Sequence, residues 1–213
     1  YSGSCIPFSG TLNGNGHTIK NYKIYSEPRA GIFCEIGSAT IQDLVIDNSC
    51  HFDGENVGAV SPSVLSSINL TNVVNRAAVS GSSSVGGFIS AVFGTTSARI
   101  TVNKCRNEGS VTSQKNTTRS GGIIGHMYNN KNLNVEIRET SHSGVIDAPL
   151  GGTSGGLIGF VYNNPNMNLV IQKCQSESET TYTNKAITYS YYGGLIGLMS
   201  WNSHMITTIE DCT

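Results

Sequence analysis

The groups able to do acid, base or metal chemistry are few and scattered. The densest acidic set is Asp43, Asp47, Asp53 and Glu55, with His51 beside it. Carboxylates in pairs flank the groove of a glycosidase, one acting as acid and the other as base or nucleophile. On a strand, Asp43 and Asp47 share parity and project to the same side. A shallow acidic patch is one reading; a solvated face is the other, and the one we expect. No ladder of Asp or Lys recurs elsewhere. The histidines His17, His51, His126, His142 and His204 have no cysteine at zinc-ligand spacing,. Gly14-Asn15-Gly16 opens no helix whose N-terminus could hold phosphate, and reads as a tight turn,. The expectation is a protein with no catalytic residue, no metal and no cofactor, and so not an enzyme.

Binding chemistry is better represented. Tyr182, Tyr189, Tyr191, Tyr192 and Trp201 crowd the last part of the chain. Amphipathic aromatics on a polar surface suit sugar rings or a protein partner, because each pairs a rigid apolar face with a polar tip. The competing reading is a loop that packs back over the body. Asn69-Leu70-Thr71 and Asn116-Thr117-Thr118 match the N-glycosylation acceptor pattern,.

Those residues sit in a chain of 213, short enough for one large domain or two small ones,. Ser (27), Asn (21), Thr (19) and Gly (25) make up 92 residues, whereas charged residues are 13% and the net charge is -1. No basic excess is available for phosphates, which excludes a nucleic-acid binder. No apolar run approaches the ~18 residues that cross a bilayer. The chain is rich in β-branched residues and poor in charge, the reverse of a disordered segment. An extracellular or cell-surface location is expected. The row opens at Tyr1, which fits a removed leader or an internal fragment,.

The elements that must position these groups come from a repeat. Gly86-Gly87-Phe88-Ile89-Ser90 returns as Gly121-Gly122-Ile123-Ile124-Gly125, Gly155-Gly156-Leu157-Ile158-Gly159 and Gly193-Gly194-Leu195-Ile196-Gly197. Ala30-Gly31-Ile32-Phe33-Cys34 and Val57-Gly58-Ala59-Val60-Ser61 are degenerate copies. The markers Gly31, Gly58, Gly87, Gly122, Gly156 and Gly194 set a period of 27 to 38 residues,. After each block comes a polar corner, such as Tyr128-Asn129-Asn130-Lys131-Asn132 or Tyr162-Asn163-Asn164-Pro165-Asn166,. Alternating runs such as Leu133-Asn134-Val135-Glu136-Ile137 then read as strand. Gly109 and Gly144 follow, and are expected to supply left-handed or bulged corners. No helical period is present. Repeats made only of strands bury their apolar residues by stacking coil on coil. We therefore expect residues 1–213 to form one all-β domain: a single-stranded, right-handed β-helix of about six coils, three short strands per coil, roughly 30 Å long.

Two features of the repeat leave alternatives open. The apolar second position after the glycines either bends inward with the first or forms an external stripe; bending is the expected outcome, since exposed apolar stripes are a liability. The fourth position varies freely, so His126 is expected to be exposed. Cys5 and Cys34 lie 29 apart, and Cys174 and Cys212 lie 38 apart, each about one coil. Each pair is a candidate disulfide or a stack of buried thiols. Cys50 and Cys105 have no evident partner.

Gly-Gly-Leu/Ile-Ile-Gly, followed by Cys105-x-Asn107-x-Gly109-x-Val111, resembles the GLUG-motif repeat of large bacterial and protist surface proteins. Phe8 to Ile19 resembles the first coil of such repeats and of pectin-lyase-like right-handed β-helices. The copies at Ala30 and Val57 lack the first glycine, and Thr140 stands where cysteine would be. The resemblance implies an extracellular structural or adhesive role, often within a much longer protein, and supplies no catalytic residue. Glu210 to Thr213 stop inside a repeat. Flanking repeats of the same chain, or a second copy adding end to end as a filament, are the expected partners, with glycans as the alternative ligand.

Overall fold

The computed structural model describes residues 5–148, 152–181 and 190–213. Every regular element among them is a strand, and every strand pairing is parallel. The chain is a right-handed β-helix with three faces. One face holds the strands that follow the glycine pairs: Ser61–Val64, Ile89–Phe93, Ile124–Tyr128, Ile158–Tyr162 and Ile196–Ser200. The second stacks Ile36–Ile46, Ile68–Asn75, Arg99–Asn103, Asn134–Arg138, Asn168–Gln172 and Ile206–Glu210. The third begins with Lys23–Ala30, His51–Gly58 and Ala78–Gly86. In later coils it splits into two short strands, as in Val111–Ser113 and Arg119–Gly121.

Alternation fills the interior with side-chain ladders. On the second face Leu12, Ile41, Leu70, Val102, Ile137, Ile171 and Ile209 stand in register, one per coil. All but the two end residues belong to the fully buried core. Each coil therefore covers the apolar row of its neighbour, which no single repeat can do alone. On the first face the bend after the glycines turns both apolar positions inward: Phe88 and Ile89, Ile123 and Ile124, Leu157 and Ile158 are all sealed from solvent.

The glycines act through proximity. A Cβ on Gly109 would collide with the carbonyl oxygen of Ala77, and one on Gly144 with that of Gly109. Neither glycine has a positive φ. The expected left-handed corner at these positions is therefore wrong: glycine is present because successive backbones come too close for a side chain. Left-handed corners exist, but other residues make them. Asp43, Asn72, Lys104, Glu139, Lys173 and Asp211 occupy the same position in six successive coils, with φ between 47° and 54°. Asn and Asp enter this region most readily, and the shared register carries Lys and Glu with them.

The two halves of the repeat are locked by hydrogen bonds. Asn75 Nδ2 donates to the Gly87 carbonyl at 3.1 Å, and Asn107 Nδ2 to the Gly122 carbonyl at 2.8 Å. Asn75 also donates to Asn107 Oδ1 at 2.8 Å. The interior asparagine thus caps the bend that the glycine pair makes, which explains why the two motifs travel together. A second amide ladder fills the corner after the first face. Asn130 and Asn164 donate to the Oδ1 of Asn164 and Asn202 at 2.8 and 3.1 Å, and also to the Val92 and Met127 carbonyls.

Candidate functional site

Arginine and aromatic residues converge where the third face turns into the first. Arg119 lies in the short strand just before Gly121-Gly122, and His126 and Tyr128 lie in the strand just after. His126 and Tyr128 are two apart, so both point outward while Met127 between them is buried,. In the next coil Phe160 and Tyr162 stand in register with them, and Phe93 precedes Tyr128 in the coil before. The sharp glycine bend leaves a groove of about 420 Å³ between these rings and the Arg119 strand.

The rings form one continuous stack along the rod. Phe93 stacks on Tyr128 with centroids 4.4 Å apart, and Tyr128 on His126 at 4.2 Å. His126 stacks on Phe160 at 5.2 Å. Phe160 meets Tyr162 at 5.6 Å, and Tyr162 meets Trp201 at 6.3 Å. Trp201 occupies a left-handed corner at φ 59° and is 78% exposed. His126 is only 7% exposed, against the expectation that its variable position would leave it open. Its position does face outward, but the rings of Tyr128 and Phe160 cover it. Burial pushes its pKa down to about 3, and the nearby Arg119 charge pushes the same way. His126 is therefore neutral at physiological pH, and its Nε2 has no hydrogen-bond partner among the described residues.

The other candidates fall elsewhere. Tyr191 and Tyr192 are exposed on the third face, where Tyr191 continues the outward column of Arg119 and Thr153. Tyr182 and Tyr189 lie outside the described residues. Asp53 and Glu55 line one shallow pocket with Glu27, whereas Asp43 lies in the second-face strand Ile36–Ile46, Asp47 just after it, and His51 outside that pocket. Asp43 accepts from Asn72 Nδ2 at 2.8 Å, and Asp53 from Gln114 Nε2 at 2.6 Å. Asp47 accepts from the Ser49 amide at 3.0 Å, and Ser49 holds its carboxyl below the usual range. His51 packs its ring on Tyr25. No group of three or more His, Cys, Asp or Glu residues is placed to hold a metal ion among the described residues.

A disulfide joins Cys5 to Cys34 across one coil, with Cα atoms 5.9 Å apart. Cys174 and Cys212 do not bridge: both are free thiols, as are Cys50 and Cys105. Cys105, Cys174 and Cys212 share one column with Val73 and Thr140, and Cys50 lies outside it. The Cys105 amide meets Thr140 Oγ1 at 3.3 Å, and the Cys174 amide meets Cys212 Sγ at 3.4 Å. Thr140 thus replaces sulfur with oxygen in the same role. Burial raises the Cys105 thiol to about 12 and Cys174 to about 11, which suppresses the reactive thiolate,. Asn116 is exposed beside a turn, whereas Asn69 is half-buried in a strand and accepts from Thr71 Oγ1 at 3.3 Å.

Sequence reasoning assigned Tyr128 and Tyr162 to polar corners and missed the stack. The signal was present, since residues four and six after the glycine pair share one parity, and both are aromatic or His in two adjacent repeats.

Together these features define a right-handed β-helix whose outer surface carries a long aromatic face. No protein-family model matches the chain. Over 88 residues, 40% of this chain, it is 38% identical to halomucin of Haloquadratum walsbyi, and the match spans 1% of that protein. Among solved structures it is similar to a candidate immunoglobulin A1 protease of Bacteroides ovatus, with a TM-score of 0.68 and 18% identity. That likeness covers 94% of this chain and 58% of the other, and shows the fold.

Proposed function

We propose that the chain is a β-solenoid segment of an extracellular surface protein, of the GLUG-motif repeat kind, that serves as a structural and adhesive rod and holds glycans on its aromatic face. The stack from Phe93 to Trp201 carries this reading. It lines the groove with the parts of Tyr128, Phe160 and Tyr162 that stacking leaves uncovered and ends in the exposed Trp201, along an axis that a linear polymer can follow,. The neutral polar surface, the Cys5–Cys34 disulfide and the relation to halomucin support an extracellular place,. Asn116, exposed at its turn, is the better-placed glycan acceptor of the two sequons. The chain acts by binding: its carboxylates are spent on corner hydrogen bonds, as at Asp43, Asp47 and Asp53.

A glycan array with the wild type and Tyr128→Ala tests the reading. Tyr128→Ala should weaken binding by roughly tenfold, the worth of one well-packed aromatic contact. A wild type that holds no glycan, or a variant that binds equally well, rejects it.

End-to-end association is a second reading, favoured by one observation. Ile209, the last member of the interior ladder on the second face, is 47% exposed. That row accepts a further coil, from flanking repeats or from a second copy. Sedimentation velocity should show concentration-dependent growth that Ile209→Lys abolishes; the same single species at every concentration would exclude self-assembly.

A further inference from the structure

Of the six arginines, five reach a glutamate. Arg29 pairs with Glu35, Arg76 and Arg106 with Glu108, and Arg99 and Arg138 with Glu136. Arg119 is the sixth, and no ion pair holds it among the described residues. It is also the arginine that lines the aromatic groove, and neither Asp nor Glu is among the residues lining that groove. On the same wall His126 is more than nine-tenths buried, with Nε2 unpartnered. Arg119 is half-buried, and its guanidinium, in a chain that pairs its other arginines, is free to take an anion.

We propose that this groove selects a carboxylate-bearing sugar, with Arg119 as the carboxylate clamp, Phe160 and Tyr162 as the platform for the pyranose ring, and Tyr128, held between Phe93 and His126, as its bordering wall. The inference rests on the glycan reading above and names its ligand class. The planar fork of Arg119 matches a carboxylate through two parallel hydrogen bonds. The rings beside it receive the apolar face of the sugar, and His126, neutral and sealed between Tyr128 and Phe160, backs them without adding charge. A peptide is the weaker occupant. Both strands that border the groove, Arg119–Gly121 and Ile124–Tyr128, are already paired on each side, so no free edge can accept another strand,.

The test compares binding of polygalacturonate, its carboxyl-reduced neutral form and polyglutamate to the wild type, Arg119→Gln and Arg119→Lys. The wild type should prefer polygalacturonate over the reduced polymer by roughly tenfold to a hundredfold, and salt should narrow the gap. Arg119→Gln should abolish that preference while keeping affinity for the neutral polymer, and Arg119→Lys should retain part of it. Melting curves establish that each variant is folded, and Arg119→Lys carries the test if the Gln variant is not. Equal wild-type affinity for both sugar polymers, or a preference that survives Arg119→Gln, overturns the clamp and leaves the glycan reading standing. Polyglutamate binding as tightly as polygalacturonate overturns the sugar assignment. Failure of the wild type to bind either sugar polymer overturns the glycan reading, and this inference with it.

Discussion

Two sets of side chains climb this rod one coil at a time, and they differ in what they leave unfinished. Inside, Asn75, Asn107 and His142 form a column against the glycine bends. Asn107 donates to Gly122 and lies 3.0 Å from His142 Nδ1, while accepting from Asn75 and from the Gly109 amide. Both amides are used up on their neighbours. Outside, Phe93, Tyr128, His126, Phe160, Tyr162 and Trp201 form an equally regular series in which the inner rings cover one another's faces, yet Tyr128, Phe160 and Tyr162 still line the groove together with Arg119, which no ion pair holds among the described residues. Single buried atoms such as His142 Nε2, His126 Nε2 and Ser120 Oγ also lack partners, but they are sealed from solvent. Repetition therefore marks architecture, and accessible unused capacity marks a site.

The comparison breaks first at Asn107. Replacing it with alanine strands the Gly122 carbonyl in the interior, an unmet buried group costing about 1–3 kcal/mol, while the Asn75 amide keeps the Gly87 and Ala77 carbonyls,. A loss of roughly 2–3 kcal/mol is expected in urea unfolding, from that carbonyl and the gap the side chain leaves. Tyr128→Ala should cost distinctly less, because a half-buried ring leaves no stranded polar atom. Its main effect should fall on ligand binding. If the two variants destabilise equally, the inner column has no special structural role and the contrast fails.

The architecture was legible because it rests on period and parity. Glycine markers at intervals of 27 to 38 residues and alternating β-branched runs admit few folds other than stacked coils,. The reasons behind individual residues were harder to see. Gly109 looks like a left-handed corner in sequence, but its role depends on the Ala77 carbonyl one coil away. His126 looks exposed because its column varies, yet the rings that cover it come from its own coil and the next. The groove was the least legible part. It assembles Arg119 from one side of a glycine bend with rings from the other side and from the neighbouring coil, and no linear spacing displays that junction. The cysteine column was half legible: spacing identified Cys174 and Cys212 as neighbours, and only the direction of the side chains separates stacked thiols from a bridge.

A smaller effect sharpens the same contrast through pH. His142 in the inner column and His126 in the groove wall are both held neutral by burial, with pKa values of about 4 and about 3. In the unfolded chain each returns to about 6.5. As pH falls below 6.5 the unfolded state takes up protons that the folded state refuses, so stability declines towards pH 4, by up to about 1.4 kcal/mol per pH unit for each histidine. Above pH 7 both contributions are complete and level. Asn already occupies the column at positions 75 and 107, so His142→Asn suits its neighbours and should change stability at pH 7 by no more than about 1 kcal/mol. It should also remove one of the two proton linkages, which cuts the slope between pH 6 and pH 4 by about half without altering ligand affinity. His126→Ala restores the residue found at Ala91 in the same column. It should cut the slope similarly and weaken binding as well, since it opens a gap in the ring stack. Urea titrations at successive pH values, paired with binding at pH 7, read both quantities. An inner variant that weakens binding, or a groove variant that leaves it intact, would show that the two columns do not divide structure from recognition as their geometry implies.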